Sequence, residues 1–385
     1  MAFTRYDVFT EMTTNNEPFH QYGRSIAIDG AGRIYVVGSW TFPPSVWISW
    51  SDDKGVSWSH EQIYTSTSST WKRAPKIAIS GGTVYIAWTL MGSYDDIYYT
   101  YGTPFSWETP IRVNTSTSHL NSYHSIAVSN NEVHFVWKQY NLSTYVSSLK
   151  YRKDSGGVLT TEEEVVSPVG STTRADIGAD SLFAPHIIYN YGNSIRYTWK
   201  DFSLPGADYY VWETPTVIAS KSYPQIVGAM TVDTDDNIHA TFHGRGWKSI
   251  GYEDVLYIRK AAWGAWGSAK NTSSNYTQNE VYPQVSVDDN GLIAVAWCYD
   301  PSGANERYLI RYSKNEGDTW YPMAGPEILR NQASLGRYAQ LLAIPEVNKV
   351  YMAAGSNTSA MVEYYDITPP DEVLADVVTG YGYFM

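Results

Sequence analysis

Short apolar runs alternate with polar turns along most of this chain, and they come in pairs. Ser25 opens SIAIDGAGRIYVVG, Lys76 opens KIAISGGTVYIAW, Ser125 opens SIAVSNNEVHFVW and Gln284 opens QVSVDDNGLIAVAW. Weaker versions begin at Ile177 and Gln225, and the last unit begins at Gln340. Each unit is two runs of alternating apolar residues around a Gly/Asn/Asp turn, which predicts a β-hairpin. The starts recur about every 48 to 59 residues.

A third strand follows each pair: VWISWS, DIYYTY, SLKYRK, SIRYTW, VLYIRK, YLIRYS and MVEYYD. A shorter fourth follows, often led by tryptophan, as in WETPIRV from Trp107 and WETPTVI from Trp212. Four strands at this period describe a propeller blade. The expectation is an all-β, seven-bladed β-propeller of four-stranded antiparallel blades. Six blades is the alternative, if the weak fourth unit is miscounted. The seventh unit lacks its fourth strand before Pro369-Pro370, and RYDVFTEM at the N-terminus is expected to supply it. Such pairing removes an exposed edge. The propeller would occupy residues 1–366, with 367–385 a C-terminal tail.

Composition agrees with the pattern. Aromatics are 15% of the 385 residues, with 33 Tyr and 15 Trp, and such side chains favour strands. Net charge is −12 with no long basic run, so nucleic acid is not an expected partner. No run of about eighteen apolar residues occurs, so no membrane insertion is expected. MAFTRYDVFTEM has no apolar h-region, so no signal peptide is read there. An extracellular or virion-surface location is expected, with a cytoplasmic one left open. Cys298, the single cysteine, excludes an intramolecular disulfide and reads as a small buried hydrophobe.

Two turns share a finer pattern. SDDKGVSW carries Ser51, Asp53, Gly55, Ser57 and Trp58; SKNEGDTW carries Ser313, Asn315, Gly317, Thr319 and Trp320. Asp or Asn can bond backbone N–H groups within a turn, glycine takes a left-handed φ, and the tryptophan leaves the turn for the core. This Ser-x-Asp-x-Gly-x-Ser/Thr-Trp pattern resembles the Asp-box of the sialidase-like (BNR-repeat) β-propellers, and with the repeat the resemblance covers most of the chain. It implies a structural role for these residues on the outer rim, remote from any chemistry.

In a propeller, function sits where the first strands enter. Stacking the seven entries gives Tyr22-Gly23-Arg24, Arg73-Ala74-Pro75, Ser122-Tyr123-His124, Arg174-Ala175-Asp176, Ser222-Tyr223-Pro224, Val281-Tyr282-Pro283 and Arg337-Tyr338-Ala339. Ligand-binding candidates are Arg24, Arg73, Tyr123, His124, Tyr223, Tyr282 and Tyr338. The sialidase resemblance implies an arginine clamp for a sugar carboxylate, which Arg73, Arg174 and Arg337 would form, with Tyr338 as nucleophile and Asp176 as acid. The family's Arg-Ile-Pro entry appears here only as Arg73-Ala74-Pro75. Some propellers are polysaccharide lyases, in which His and Tyr exchange protons and a cation neutralises a uronate. His124 with Tyr123 or Tyr189 and an arginine has the residue types for that. Catalytic candidates are therefore Arg73, His124, Arg174, Asp176, Arg337 and Tyr338, none of them assigned.

A binding role asks for less, since aromatic faces stack on sugars and polar side chains bond hydroxyls. Trp40, Trp247, Tyr299 and Arg245 are loop candidates. The expected function is carbohydrate recognition or adhesion without catalysis, as a surface or virion component; the alternative is a glycan-cleaving lyase or hydrolase. The partner is then a glycan or polysaccharide. The apolar tail PPDEVLADVVTGYGYFM is a possible contact for a protein partner or for self-assembly. Asp233, Asp235 and Asn237 alternate like a calcium loop but lack its glycine and distal glutamate, so a hairpin turn is read. No metal or cofactor is expected.

Overall fold

The computed structural model describes residues 4–7, 25–41, 44–65, 72–200, 211–248, 251–273, 278–288, 290–300, 307–321, 327–331, 335–344, 349–356 and 359–366. At 4–7, 40–41, 44, 72–73, 300, 307 and beyond 321 the backbone alone is described. The tail at 367–385 and Arg24 lie outside the described residues, as do the side chains of Trp40, Arg73, Arg337 and Tyr338.

The chain is all-β. Its strands form seven antiparallel sheets of four or five strands among the described residues. The first sheet orders Ile26–Ile28, Ile34–Thr41, Pro44–Ser51 and Ser59–Thr65. Sheets two to six begin with Lys72–Ser80, His119–Ser129, Ala175–Ala179, Gln225–Val232 and Asn279–Val287 and run in the same way. The last orders Leu335–Ile344, Lys349–Ser356, Ser359–Asp366 and then Thr4–Asp7. The N-terminal strand pairs antiparallel with the third strand of the last sheet, Thr4 opposite Tyr364 and Asp7 opposite Met361. First strands contact their neighbours in sequence, and the contact continues from Leu335–Ile344 to Ile26–Ile28.

The core lies between successive sheets. Trp88, Trp137 and Trp297, on their second strands, are fully buried. Each packs in a cluster drawn from two adjacent sheets. Truncating a buried tryptophan of this kind costs about 3–5 kcal/mol. Cys298, one residue beyond Trp297, is buried as expected.

Both eight-residue turns adopt one geometry. Ser51 Oγ accepts from Gly55 N at 2.7 Å, and Asp53 accepts from Ser57 N at 2.8 Å and from Ser57 Oγ at 2.6 Å. These donors hold the Asp53 carboxyl down at about 2. In the second copy Ser313 Oγ accepts from Gly317 N at 3.0 Å, and Asn315 Oδ1 from Thr319 N at 2.8 Å. Trp320 then meets the ring of Tyr257 in the preceding sheet edge-on, 5.1 Å between centroids. Trp212 meets Tyr151, and Trp266 meets Tyr197, in the same way without the motif.

Behind each tyrosine stands a buried histidine. Tyr151, Tyr197 and Tyr257 share hydrogen bonds with Nδ1 of His134, His186 and His239, at 2.8, 2.7 and 2.7 Å. Nε2 of His186 and His239 bonds Asp180 and Asp233, at 3.1 and 2.9 Å. Each aspartate sits at its sheet's first hairpin and accepts two backbone N–H groups there. The calcium-like DTDDN stretch is therefore a hairpin turn, as read from its composition. Among the described residues no group of three or more His, Cys, Asp or Glu is arranged to hold a metal.

Candidate functional site

Three sheets build a pocket at the end where their first strands enter. Tyr123, His124 and Ser125 come from the third sheet, Arg174 to Asp176 from the fourth, Val227 and Gly228 from the fifth. The entering strand is bulged just before or at this point. Register slips between Ser122 and Ser125, between Arg73 and Lys76, and between Val281 and Gln284. The middle residues Ala74, Tyr123 and Tyr282 all take left-handed φ, of 55°, 53° and 56°. A bulge re-aims a side chain that regular pleating would send elsewhere. For a tyrosine this conformation is costly, and such positions cluster at functional sites.

Two cations approach the ring of Tyr123. Lys138 Nζ stands 4.7 Å from its ring centroid and Arg174 Cζ stands 5.4 Å from it. Lys138 donates to the carbonyl of Ser171 at 2.6 Å. Burial, helped by Arg174, pushes its ammonium down to about 8. Beside them His124 is buried, with Nδ1 3.0 Å from Thr89 Oγ1 of the second sheet. The backbone of Arg73 pairs with that of Thr89, so two of the predicted residues converge on one threonine.

Asp176, a candidate acid, is hydrogen-bonded through both carboxylate oxygens. Oδ2 accepts from Met230 N at 2.7 Å and Oδ1 accepts from Ser125 Oγ. One carboxylate thus ties three consecutive sheets together. Gly228 permits the matching close approach on the far side, since a Cβ there would lie 2.5 Å from the carbonyl oxygen of Pro283.

Tyr223 and Tyr282 do not line this pocket. Tyr223 is half-buried, and its carbonyl accepts from Gln225 Nε2 at 2.8 Å. Tyr282 stands edge-on to His243, 5.6 Å between centroids, and His243 Nδ1 lies 3.0 Å from Glu253. His243, Arg245 and Arg174 hold the Glu253 carboxyl below its usual range against its burial. Trp247 is packed, donating to Gln225 Oε1 at 2.7 Å with Lys221 over its ring.

Stacking the entries missed Lys138, Thr89 and His243. They share one signal: each directly follows the core aromatic of its second strand, Trp137, Trp88 and Phe242. Asn190 after Tyr189 and Cys298 after Trp297 complete the series. All five are buried. The position beyond the core aromatic supplies a second row behind the entry residues.

The sequence matches no protein-family model and no curated protein. Solved structures do resemble the fold. A PL25 ulvan lyase bound to -[GlcA(1-4)Rha3S]- superposes with a TM-score of 0.65 over 99% of this chain and 100% of its own, at 11% identity. The polysaccharide lyase Uly1 gives 0.53 over 94% of each chain at 10% identity. The Aleuria aurantia lectin AAL, with Fucalpha1-6GlcNAc, gives 0.51 over 82% of this chain and 97% of its own, at 11% identity. At such identities the likeness is one of fold. The three matched proteins are themselves glycan-related: two polysaccharide lyases and a lectin.

Proposed function

We propose that this chain is a seven-bladed β-propeller that binds an acidic polysaccharide at the Tyr123–His124–Arg174 pocket and cleaves it by β-elimination. The blade count rests on the seven sheets and their sequential contacts. The observation that carries the chemistry is the pair of cations, Lys138 and Arg174, gathered on Tyr123 beside His124. A uronate carboxylate placed between them would be neutralised, which acidifies the C–H next to it. His124 takes that proton. The electron pair forms the new C=C bond as the glycosidic C–O bond on the next carbon breaks. Tyr123 gives its proton to the leaving oxygen. Full-length likeness to two polysaccharide lyases supports this assignment.

The test is incubation with ulvan, alginate and polygalacturonate, reading the ultraviolet absorbance of an unsaturated uronate. Release by the wild type, lost in His124→Ala and Arg174→Gln, is the expected result. The burial of His124 favours a second reading, recognition without cleavage by a surface or virion component. Retention of these polymers with no unsaturated product would select it.

A further inference from the structure

Exposed aromatic side chains are sorted by end among the described residues. Tyr94, Tyr145, Tyr191 and Tyr252 are 43%, 76%, 38% and 38% exposed. Tyr94, Tyr145 and Tyr252 lie on connections between the second and third strands of sheets two, three and five, and Tyr191 ends the second strand of sheet four, where its own connection begins. Antiparallel order puts those connections at the end where the first strands enter, and so at the pocket. Phe105 and Trp263, each 77% exposed, lie on connections between third and fourth strands, at the opposite end. Tyrosine, with an apolar face and a polar tip, suits a partner that presents both C–H faces and hydroxyls.

The Tyr145 connection is built rather than loose. Tyr145 N donates to Asn141 O at 2.8 Å and Asn141 N to Val146 O at 2.9 Å. Asn141 Oδ1 accepts from Ser143 N and Thr144 N. Tyr145 itself takes a φ of 59°. A bulky residue held in the left-handed region with its side chain in water gains nothing for the core from that position. On the next sheet, Arg196 sets its guanidinium 4.6 Å from the centroid of Tyr191, adding a cation to that platform. From Lys138 the strand runs three residues to Asn141, about 10 Å, before the Tyr145 connection begins. One sugar ring in the pocket does not reach that far; a polymer does.

We infer that an extended acidic polysaccharide crosses the entry end from sheet two to sheet five, stacking successive rings on Tyr94, Tyr145, Tyr191 and Tyr252. This deepens the proposed function and rests on it: the pocket holds one uronate, and the tyrosines select chain length. The cations on Tyr123 and Tyr191 give the path its charge match in a chain of net charge −12.

The experiment measures affinity for ulvan and for its size-fractionated oligosaccharides by calorimetry, in a His124→Ala background that blocks turnover. Affinity should rise with chain length. Tyr145→Ala and Tyr191→Ala should each weaken polymer binding by about two- to tenfold, and leave the shortest bound oligosaccharide unchanged. Tyr145→Phe should bind like its parent, and unchanged melting temperatures should show that the exposed substitutions leave the fold intact. Equal affinity of the tyrosine variants and their parent at every length, with binding lost in Arg174→Gln, overturns the tyrosine path and leaves the pocket standing. A loss that is the same at every length also overturns it. If neither parent nor wild type binds ulvan, alginate or polygalacturonate at any length, both readings fall.

Discussion

Arg174 holds its guanidinium 5.4 Å from the ring centroid of Tyr123, joining the fourth sheet to the third at the entry end. Lys138 approaches the same ring, so two like charges are held at one aromatic side chain. Burial of Lys138, and then repulsion from Arg174, lower its ammonium to about 8. A bound carboxylate relieves both penalties. Lys138 carries its charge below pH 8 and loses it above, so affinity for an acidic glycan should fall as pH rises through about 8. Lys138→Gln should abolish that dependence and weaken binding at pH 7 by about ten- to a hundredfold, the worth of a hydrogen bond to a charged group. Calorimetric titration across pH 6 to 9 checks both. A pH-independent wild-type affinity would sink the role of Lys138.

Asp176 lines the pocket yet spends both oxygens on neighbouring sheets, one on Met230 N and one on Ser125 Oγ. Asp176→Ala removes the acceptor and leaves a buried backbone N–H unmet. It should cost about 2–4 kcal/mol of stability, while activity per folded molecule persists. Denaturant unfolding and turnover on the same preparation separate these. Full stability with lost turnover would return Asp176 to the chemistry.

Much of this architecture was legible because it is local and repeated. Alternation around Asp29, Asp180, Asp233 and Asp288 marks hairpins, whose aspartates accept N–H groups two and four residues on. The strand RYDV could be assigned to the last sheet because that sheet lacked a partner. The pocket was half legible. Entry residues such as Tyr123 and Arg174 align by position in the unit, but Lys138 reaches them from within a second strand. Its role depends on a bulge that turns Tyr123, and a left-handed tyrosine has no sequence mark. The bonds of Asp176 were hidden for the same reason: its partners lie 51 and 54 residues away in chain order.

His134 is buried with Nδ1 bonded to Tyr151, and burial pushes its imidazole down to about 3. The unfolded chain binds that proton near pH 6.5, the folded chain near 3. Stability therefore falls as pH drops between those values, by about 1.4 kcal/mol per pH unit for this one group. Asp233, held down at about 2 by His239 and Asn237, acts in a lower window. Its contribution is present above about pH 4 and is lost as pH falls toward 2. Urea midpoints between pH 7 and 4 should decline in the wild type and decline less steeply in His134→Gln. Parallel curves would show that another group drives the acid loss.

Trp320 and Gly317 make the sharpest test of the eight-residue turn. Gly317 has a φ of 82°, and a Cβ there would lie 2.4 Å from Cε1 of Tyr257, the ring that Trp320 meets edge-on. Gly317→Ala combines a left-handed penalty with a clash against a side chain that is fully buried and bonded to His239. Tyr257 cannot swing away without breaking that bond. The expected loss is about 2–4 kcal/mol, above the roughly 1 kcal/mol for a left-handed alanine alone. Gly55→Ala in the first copy carries the same φ penalty, at 91°. Each substitution is compared with wild type by its unfolding free energy. If Gly317→Ala costs no more than about 1 kcal/mol, the Tyr257 ring is mobile and the turn is not pinned to the preceding sheet.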